Sequence, residues 1–340
     1  MSLTDAQILE LAYTEFEEKR YDEALQLFIL TYSHGYQQEK IREILYDCYY
    51  AGNEQIFYES FVKTKGNHYC EFKKTSLDFF LYKDGEYYIY NKKTEIFEGL
   101  FSVPSLFKEE KQEYETLEFT PITLAFNGDW REVSSVLTDA LAKKIYVICE
   151  DMERITSYFK VPELQSYMKN IKIFPNICEY QNYFHIHTNK SLPKIVFAEE
   201  KVAQIINQIL EEEHKFRLTD QGRNETNILL SIGIPTHNRG NLLLKRLENL
   251  LQMPYDSEIE IVISKNGSTL YQEEYQKVEK IKDARLKYYG TNKELRPQEN
   301  WINVVDKAHG KYVLFVSDED DVVIGALEHY LNIIKNETEI

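Results

Sequence analysis

A multidomain α/β fold is predicted, and three observations predict it. Residues 228–234, 259–264 and 311–316 are apolar runs rich in Ile, Val and Leu, each leading into a polar cluster, which is how the buried strands of a parallel sheet read. Residues 119–216 alternate short apolar strands with helical stretches, implying a further parallel sheet under helical cover. Residues 4–66 instead space their apolar side chains three and four apart, the period of packed helices. The expected order is N-terminal helical hairpins (1–66), a β-hairpin with a connector (67–118), an α/β domain (119–217) and a Rossmann-like terminal domain (226–340). Polar, glycine-bearing residues 218–225 mark the last boundary.

At 340 residues, 43% hydrophobic and 28% charged, the chain has room for two or three domains with real cores. A net charge of −16 argues against nucleic-acid binding, because phosphate backbones need Lys and Arg to neutralise them. No apolar run is long enough to span a bilayer, and no signal-peptide pattern opens the chain. Cys48, Cys70, Cys149 and Cys178 lie far apart without CxxC spacing, so they read as buried free thiols of a reducing compartment. The cytoplasm is the expected location, with peripheral attachment at the inner face of the membrane left open.

Taking the elements in order, Ile8, Leu9, Leu11, Ala12 and Phe16 form the first helical stripe, and a turn at 19–21 precedes Ala24, Leu25, Leu27, Phe28 and Thr31. Tyr21-x-x-Ala24-x-x-x-Phe28 resembles the second helix of a tetratricopeptide repeat, with small Ala12 and Ala24 letting two antiparallel helices approach closely. A second pair is expected over 41–50 and 54–62, broken at Gly52-Asn53. One or two such units need a neighbour over their apolar faces. They are either a cap on the next domain or a module for a protein partner. Residues 77–82 and 86–90 flank Lys83-Asp84-Gly85, a hairpin signal, with 95–97 as a third strand and the polar run 108–115 as an exposed connector.

From residue 119, strands are expected at 121–126, 144–149, 171–174 and 194–198. Helices at 129–142 and 152–168 separate them, the latter broken before Pro162, and a helix at 199–213 closes the domain. Asn127-Gly128-Asp129 sits at a strand-to-helix turn that could hold an anion, but no glycine-rich phosphate motif accompanies it, and Asp129 as a helix N-cap is the plainer reading. Glu150-Asp151 reads as another cap. His185-x-His187 has no third ligand nearby for a metal.

In the terminal domain the strands end in Pro235-Thr236-His237-Asn238-Arg239, in Lys265-Asn266-Gly267-Ser268 and in Ser317-Asp318-Glu319-Asp320-Asp321. Ligands of parallel sheets bind outside the carboxyl ends of the strands, where these clusters gather. A helix is expected over 242–251. Asn292, Arg296 and Asn300 are expected on a loop before a helix at 301–308.

Taken with Ser231-Ile232-Gly233-Ile234, Glu299-Asn300 and Ala308-His309-Gly310-Lys311-Tyr312, these clusters resemble the nucleotide-sugar-binding half of an inverting family 2 glycosyltransferase of the GT-A fold. The resemblance covers about the last third of the chain. It implies a nucleoside-diphosphate sugar as donor, a glycan, glycolipid or protein as acceptor, and a Mn2+ or Mg2+ ion on the diphosphate. By the family pattern Asp318 lies by the ribose and metal, Asp320 ligates the metal directly and Asp321 supports either role. Four adjacent acids repel one another without a cation, although an acidic turn capping a helix at 323–334 is the alternative.

On the same pattern, Thr236 and Asn238 offer hydrogen bonds from the loop that Pro235 opens. His237 stacks on the base where relatives often carry an aromatic residue, and Arg239 reaches a phosphate; Asn238 is also a candidate N-cap. Lys265 departs from the family's usual Asp, which accepts the base N–H. Lysine has no acceptor, so either Asn266 or backbone carbonyls read the base, or the base is not the usual uracil, or this copy binds poorly, unless Lys265 is simply a solvated loop residue. Gly267 fits a tight turn. Arg296 and Asn300 pass over the sugar and diphosphate, Arg296 by its guanidinium fork. The chain ends 19 residues after Asp321, so the acceptor pocket and the Asp or Glu general base are expected outside it, as in a shortened or incomplete enzyme. A second class of function fits too: a non-catalytic scaffold, a helical interaction module joined to a degenerate nucleotide-sugar fold, favoured by Lys265 and disfavoured by the intact acids.

Overall fold

The computed structural model describes residues 3–64, 70–107, 119–219, 227–254 and 257–338. They form two compact units, residues 1–210 and 211–338. Four helices open the first: Asp5–Glu17, Tyr21–Ser33, Gln38–Leu45 and Ala51–Lys63. Thr4 starts the first helix through a capping box with Gln7, and Ala12 and Ala24 are fully buried where the first two helices pack. Gly52-Asn53 does not break the helical run. A π turn, Tyr46–Tyr50, carries the third helix straight into the fourth. A mid-helix glycine costs about 1 kcal/mol, whereas burying Phe57 or Phe61 returns about 2 kcal/mol each, so tertiary packing wins.

Strands β1 (Leu77–Lys83), β2 (Glu86–Asn91) and β3 (Ile96–Ser102) make an antiparallel meander. Its first turn, at Asp84-Gly85, uses the positive φ of Gly85, 73°, a conformation glycine adopts without steric cost. The expected connector at 108–115 lies outside the described residues. Strands β4 (Ile122–Ala125), β5 (Ile145–Ile148), β6 (Ile171–Phe174) and β7 (Lys194–Phe197) then form a parallel sheet in the order β6-β5-β4-β7.

The helices around this sheet depart from expectation. Residues 129–142 form three short pieces, Trp130–Glu132, Ser134–Leu137 and Thr138–Leu141, because the Val, Ser, Thr and Asp residues there are weak helix formers. The 152–168 stretch already breaks after Met152–Ser157. A helix the periodicity did not suggest, Ile177–Ile186, starts at Asn176, whose Oδ1 accepts from Glu179 N at 2.9 Å. His187 stacks on Tyr183, and among the described residues no three His, Cys, Asp or Glu side chains gather to hold a metal. The last helix, Glu200–Thr219, runs past its expected end and through the point where the two units divide.

One core runs through the helices, the meander and the parallel sheet of the first unit, with Phe28, Phe57, Phe80, Trp130 and Tyr158 among its members. Two polar centres are buried with it. Asp78 accepts from Lys160 Nζ at 2.6 Å and from the Tyr46 and Tyr50 hydroxyls at 2.7 and 3.2 Å. Asp129 caps Trp130–Glu132 by accepting from Arg131 N, and also accepts from the Arg131 and Arg154 guanidinia and the Tyr158 hydroxyl. Burial works to raise its pKa, but the hydrogen bonds and charge of Arg131 win and hold it at about 2.

In the second unit β8 (Leu230–Thr236), β9 (Ile259–Asn266), β10 (Leu286–Thr291) and β11 (Tyr312–Phe315) lie parallel in the order β10-β9-β8-β11. Helices Gly240–Leu250, Gln272–Glu279, Pro297–Lys307 and Ile324–Asn336 accompany them. Strand β10 and the helix Gln272–Glu279 were not anticipated, since neither carries a continuous apolar run. Asn300 lies inside the helix Pro297–Lys307, not on a loop before it. Ile232, Ile234, Ile261 and Ile263 fill the core with Leu243 and Leu247. The register pairs Ile232 with Ile261 and Thr236 with Lys265, so the carboxyl ends of β8 and β9 emerge together. Among the described residues of the chain, no helix is long and apolar enough to cross a membrane.

Candidate functional site

A cavity of about 340 Å³ lies beyond those strand ends, with Thr236, Asn266, Asn300, Trp301 and Asp318 in its lining. Asp318, 3% exposed, sits just past β11. Its Oδ2 accepts from Thr236 Oγ1 at 2.7 Å, and its Oδ1 accepts from Arg239 Nη1 at 3.2 Å. Because the Thr236 hydroxyl donates to the carboxylate, its oxygen is left to accept from Tyr275 OH, 2.9 Å away. That phenol in turn accepts from Arg239 N at 3.0 Å. A buried carboxylate is tolerable only when paired and hydrogen-bonded, and this chain supplies both. Hydrogen bonding to Asp318, with the charge of Glu319 nearby at 3.1 Å, raises the pKa of Arg239 further.

The acids do not converge. The Asp321 carboxylate pairs with Arg246 on the helix Gly240–Leu250, and Arg246 also donates to Glu319 O. Asp320 is exposed, and its side chain makes no hydrogen bond or ion pair with another described residue. Asp318, Asp320 and Asp321 are therefore not a preformed cage. This donor set still fits a hard divalent cation, which commonly takes only one or two carboxylates and completes its shell with phosphate oxygens and water. Asp320 and Asp318 would hold it.

The loop after β8 is locked to the loop after β9. His237 Nδ1 donates to Asn266 O at 2.7 Å, which leaves Nε2 to accept from Asn238 Nδ2 at 3.0 Å. Asn238 adopts a left-handed φ of 55°, which asparagine tolerates better than most residues, and its Oδ1 accepts from Thr269 N and Leu270 N. It therefore ties two loops together and does not cap the helix, whose N-cap position is Arg239. Asn266 spends its whole amide on one residue: Oδ1 accepts from Leu295 N at 2.6 Å and Nδ2 donates to Leu295 O at 2.8 Å. Asn300 is likewise engaged, with Ser264 Oγ at 2.6 Å.

Lys265 points elsewhere. Its Nζ donates to Gln272 Oε1 and lies 5.0 Å over the Tyr275 ring, on the opposite face of β9 from Ser264 and Asn266. Arg296, the N-cap of the helix Pro297–Lys307, folds onto Glu299 in its first turn, at 2.7 Å, and stays exposed. Pro235 lines the cavity, whereas Gly267 does not. A Cβ on Gly267 would come within 2.7 Å of the Glu294 backbone, and its φ is 32°. Gly267→Val is therefore expected to push the Leu295 segment outward and to cost about 1–3 kcal/mol. Urea denaturation checks this, and an unchanged midpoint would show that the close approach is not needed.

Two participants carried no motif signal. Tyr275 sits on the unanticipated helix. Trp301, half-exposed at the cavity wall and packed on Phe315 with centroids 4.6 Å apart, offers an aromatic surface that its rarity alone, one of two Trp, could have flagged.

Residues 231–339 match the family described as Glycosyl transferase family 2. A stretch of 100 residues is 34% identical to the GalNAc(5)-diNAcBac-PP-undecaprenol beta-1,3-glucosyltransferase of Campylobacter jejuni, covering 29% of this chain and 32% of that protein. The chain thus matches about a third of the length of this curated relative. A crystal structure of S. aureus TarS, residues 1–349, is 22% identical over 32% of each chain with a TM-score of 0.29, a likeness too slight to bear on the site.

Proposed function

We propose that the chain, whose residues 231–339 match the family described as Glycosyl transferase family 2, transfers a sugar from a nucleoside-diphosphate donor to a glycan, lipid-linked or protein acceptor, with inversion and with a divalent metal. The observation that carries this reading is the buried Asp318, fixed by Thr236 and Arg239 in the lining of a cavity where three strand ends meet.

In this reading Asp318 and Asp320 would hold Mn2+ or Mg2+, which would supply positive charge against the charge that develops on the leaving diphosphate. Arg239, half-exposed and already aimed at the carboxylates, contacts the same diphosphate. Trp301 and the ring of His237 flank the base or the sugar, and backbone groups of the locked loops read the base, since the amides of Asn266 and Asn300 are occupied. Lys265 and Arg296 contribute little to the donor. A lipid-linked saccharide among the acceptors is supported by the name of the Campylobacter relative. Of the four cysteines only Cys149 is buried, and Cys48 and Cys178 are exposed against expectation, but all four are free, which supports a cytoplasmic location.

A second reading has its own support. Arg239 and Arg246 already neutralise Asp318 and Asp321, as they would in a nucleotide-sugar fold kept as a scaffold. Thermal unfolding with UDP, GDP and CDP, with and without Mn2+, separates the two, because a ligand bound only by the folded state raises the melting temperature. A metal-dependent rise is expected for at least one nucleotide, and it should vanish in Asp320→Ala. Indifference to all three would leave the scaffold.

A further inference from the structure

The first unit holds a cavity of its own, and we propose that it binds a neutral saccharide. This does not depend on the donor reading. Strands β4, β5 and β6 succeed one another in one direction across the sheet, and β7 then takes the other flank of β4. The chain leaving β4 and the chain leading to β7 therefore turn to opposite sides, opening a crevice above the carboxyl ends, where such sheets take ligands. A cavity of about 990 Å³ lies there, at the upper end of the range for small-molecule sites. Every strand contributes to it from just past its end, with Asn127 after β4, Glu150 after β5, Asn176 after β6 and Glu199 after β7.

The wall chemistry excludes a phosphate ligand. Four acids, Glu132, Glu150, Asp151 and Glu199, face a single cation, Arg154. That guanidinium is already engaged with Glu98 at 3.0 and 2.7 Å and with Asp129 at 3.0 Å. An anion would meet carboxylates with nothing to offset them. An organic cation fits poorly as well, because half the acids are taken: Glu132 accepts from Asn127 at 2.6 Å, and Asp151 caps Arg154 N and faces Lys93 at 3.6 Å.

A sugar needs an apolar wall for its C–H face, and both acceptors and donors for its hydroxyls. Phe126 and Phe197, each partly exposed, supply the wall, packed edge to face with centroids 6.5 Å apart. The side chains of Glu150 and Glu199 are exposed and have no partner among the described residues, so their oxygens are ready acceptors. Asn176 uses Oδ1 to cap its helix and keeps Nδ2 as a donor.

Saturation-transfer NMR on the full chain tests this, with glucose, galactose, N-acetylglucosamine and maltotriose as neutral probes and choline and inorganic phosphate as charged ones. At least one neutral sugar should bind. Its affinity should fall about tenfold or more in the double variant Glu150→Gln, Glu199→Gln, with the melting temperature checking that these surface changes leave the fold intact. Binding should persist in Asp318→Asn, which alters only the other unit. The proposal is overturned if no neutral sugar binds, if choline or phosphate is preferred, if the double variant binds as well as the parent, or if Asp318→Asn abolishes the signal.

Discussion

Asp318→Asn should weaken the binding of a nucleoside diphosphate in the presence of Mn2+ by about 100-fold, with little change in melting temperature. Asparagine keeps the shape of the side chain and can still accept from Thr236 Oγ1, now at 2.7 Å from Asp318, so the local packing survives. What it loses is the charge. Arg239 is then released from its 3.2 Å contact, and any cation in the cavity loses one of its two carboxylates, a change expected to cost at least as much as the 10–100-fold typical of supporting residues. Thr236→Val separates positioning from charge. It keeps the carboxylate but deletes the bond that orients it, and a loss of about tenfold is expected. Calorimetric titration with UDP, GDP and CDP measures both. If a nucleotide binds the parent and binds Asp318→Asn equally well, Asp318 is a structural residue and the donor assignment fails.

Asp78→Ala is expected to destabilise the first unit by about 3–5 kcal/mol, the usual cost of removing one partner from a buried pair. Lys160 is 1% exposed, and without Asp78 its ammonium would keep, among the described residues, the Leu77 carbonyl at 2.9 Å and the face of Phe72. The Tyr46 and Tyr50 hydroxyls would lose their acceptor at the same time. Burial already lowers the Lys160 pKa to about 8 against the pull of Asp78, so the variant should hold this lysine neutral at lower pH still. Replacing both partners, Asp78→Leu with Lys160→Met, should recover most of the loss, because two apolar groups need no desolvation.

The pH dependence follows from the same pair. Burial opposes ionisation of Asp78, but Lys160 and Lys92 win and keep its pKa below the ordinary 3.8. The unfolded chain therefore takes up this proton first. The stability Asp78 contributes is complete above pH 4 and is lost as the pH falls below that value. Urea denaturation of parent, single and double variants at pH 7 and in the acid range measures all of this, and a single variant within 1 kcal/mol of the parent would show that the pair is not needed.

The fold was largely legible because burial leaves a periodic trace. The apolar runs at 228–234, 259–264 and 311–316 became β8, β9 and β11, and Asp84-Gly85 became a hairpin turn. Elements without such a trace were missed. Strand β10 has a single aliphatic residue, Leu286, among Lys287, Tyr288, Tyr289 and Gly290, and it is an edge strand held by its neighbour β9. The helices Gln272–Glu279 and Ile177–Ile186 bury only two side chains each, Tyr275 with Val278 and Tyr180 with Phe184. Gly52 was misread in the other direction, since a packed face carried the helix through it.

By itself the sequence determined the fold class, the strands of both parallel sheets except β10 and the placing of the polar clusters at strand ends, because alternation between apolar runs and polar turns is a local property. Only the tertiary structure decided what each polar group touches. Asn266 gives its amide to Leu295, Arg246 reaches Asp321, Lys265 turns to Tyr275, and Tyr275 and Trp301 join the site without any motif. These partners lie up to 75 residues apart in the chain, and a hydrogen bond needs an alignment of a few tenths of an ångström that no spacing of residue types along one chain can specify.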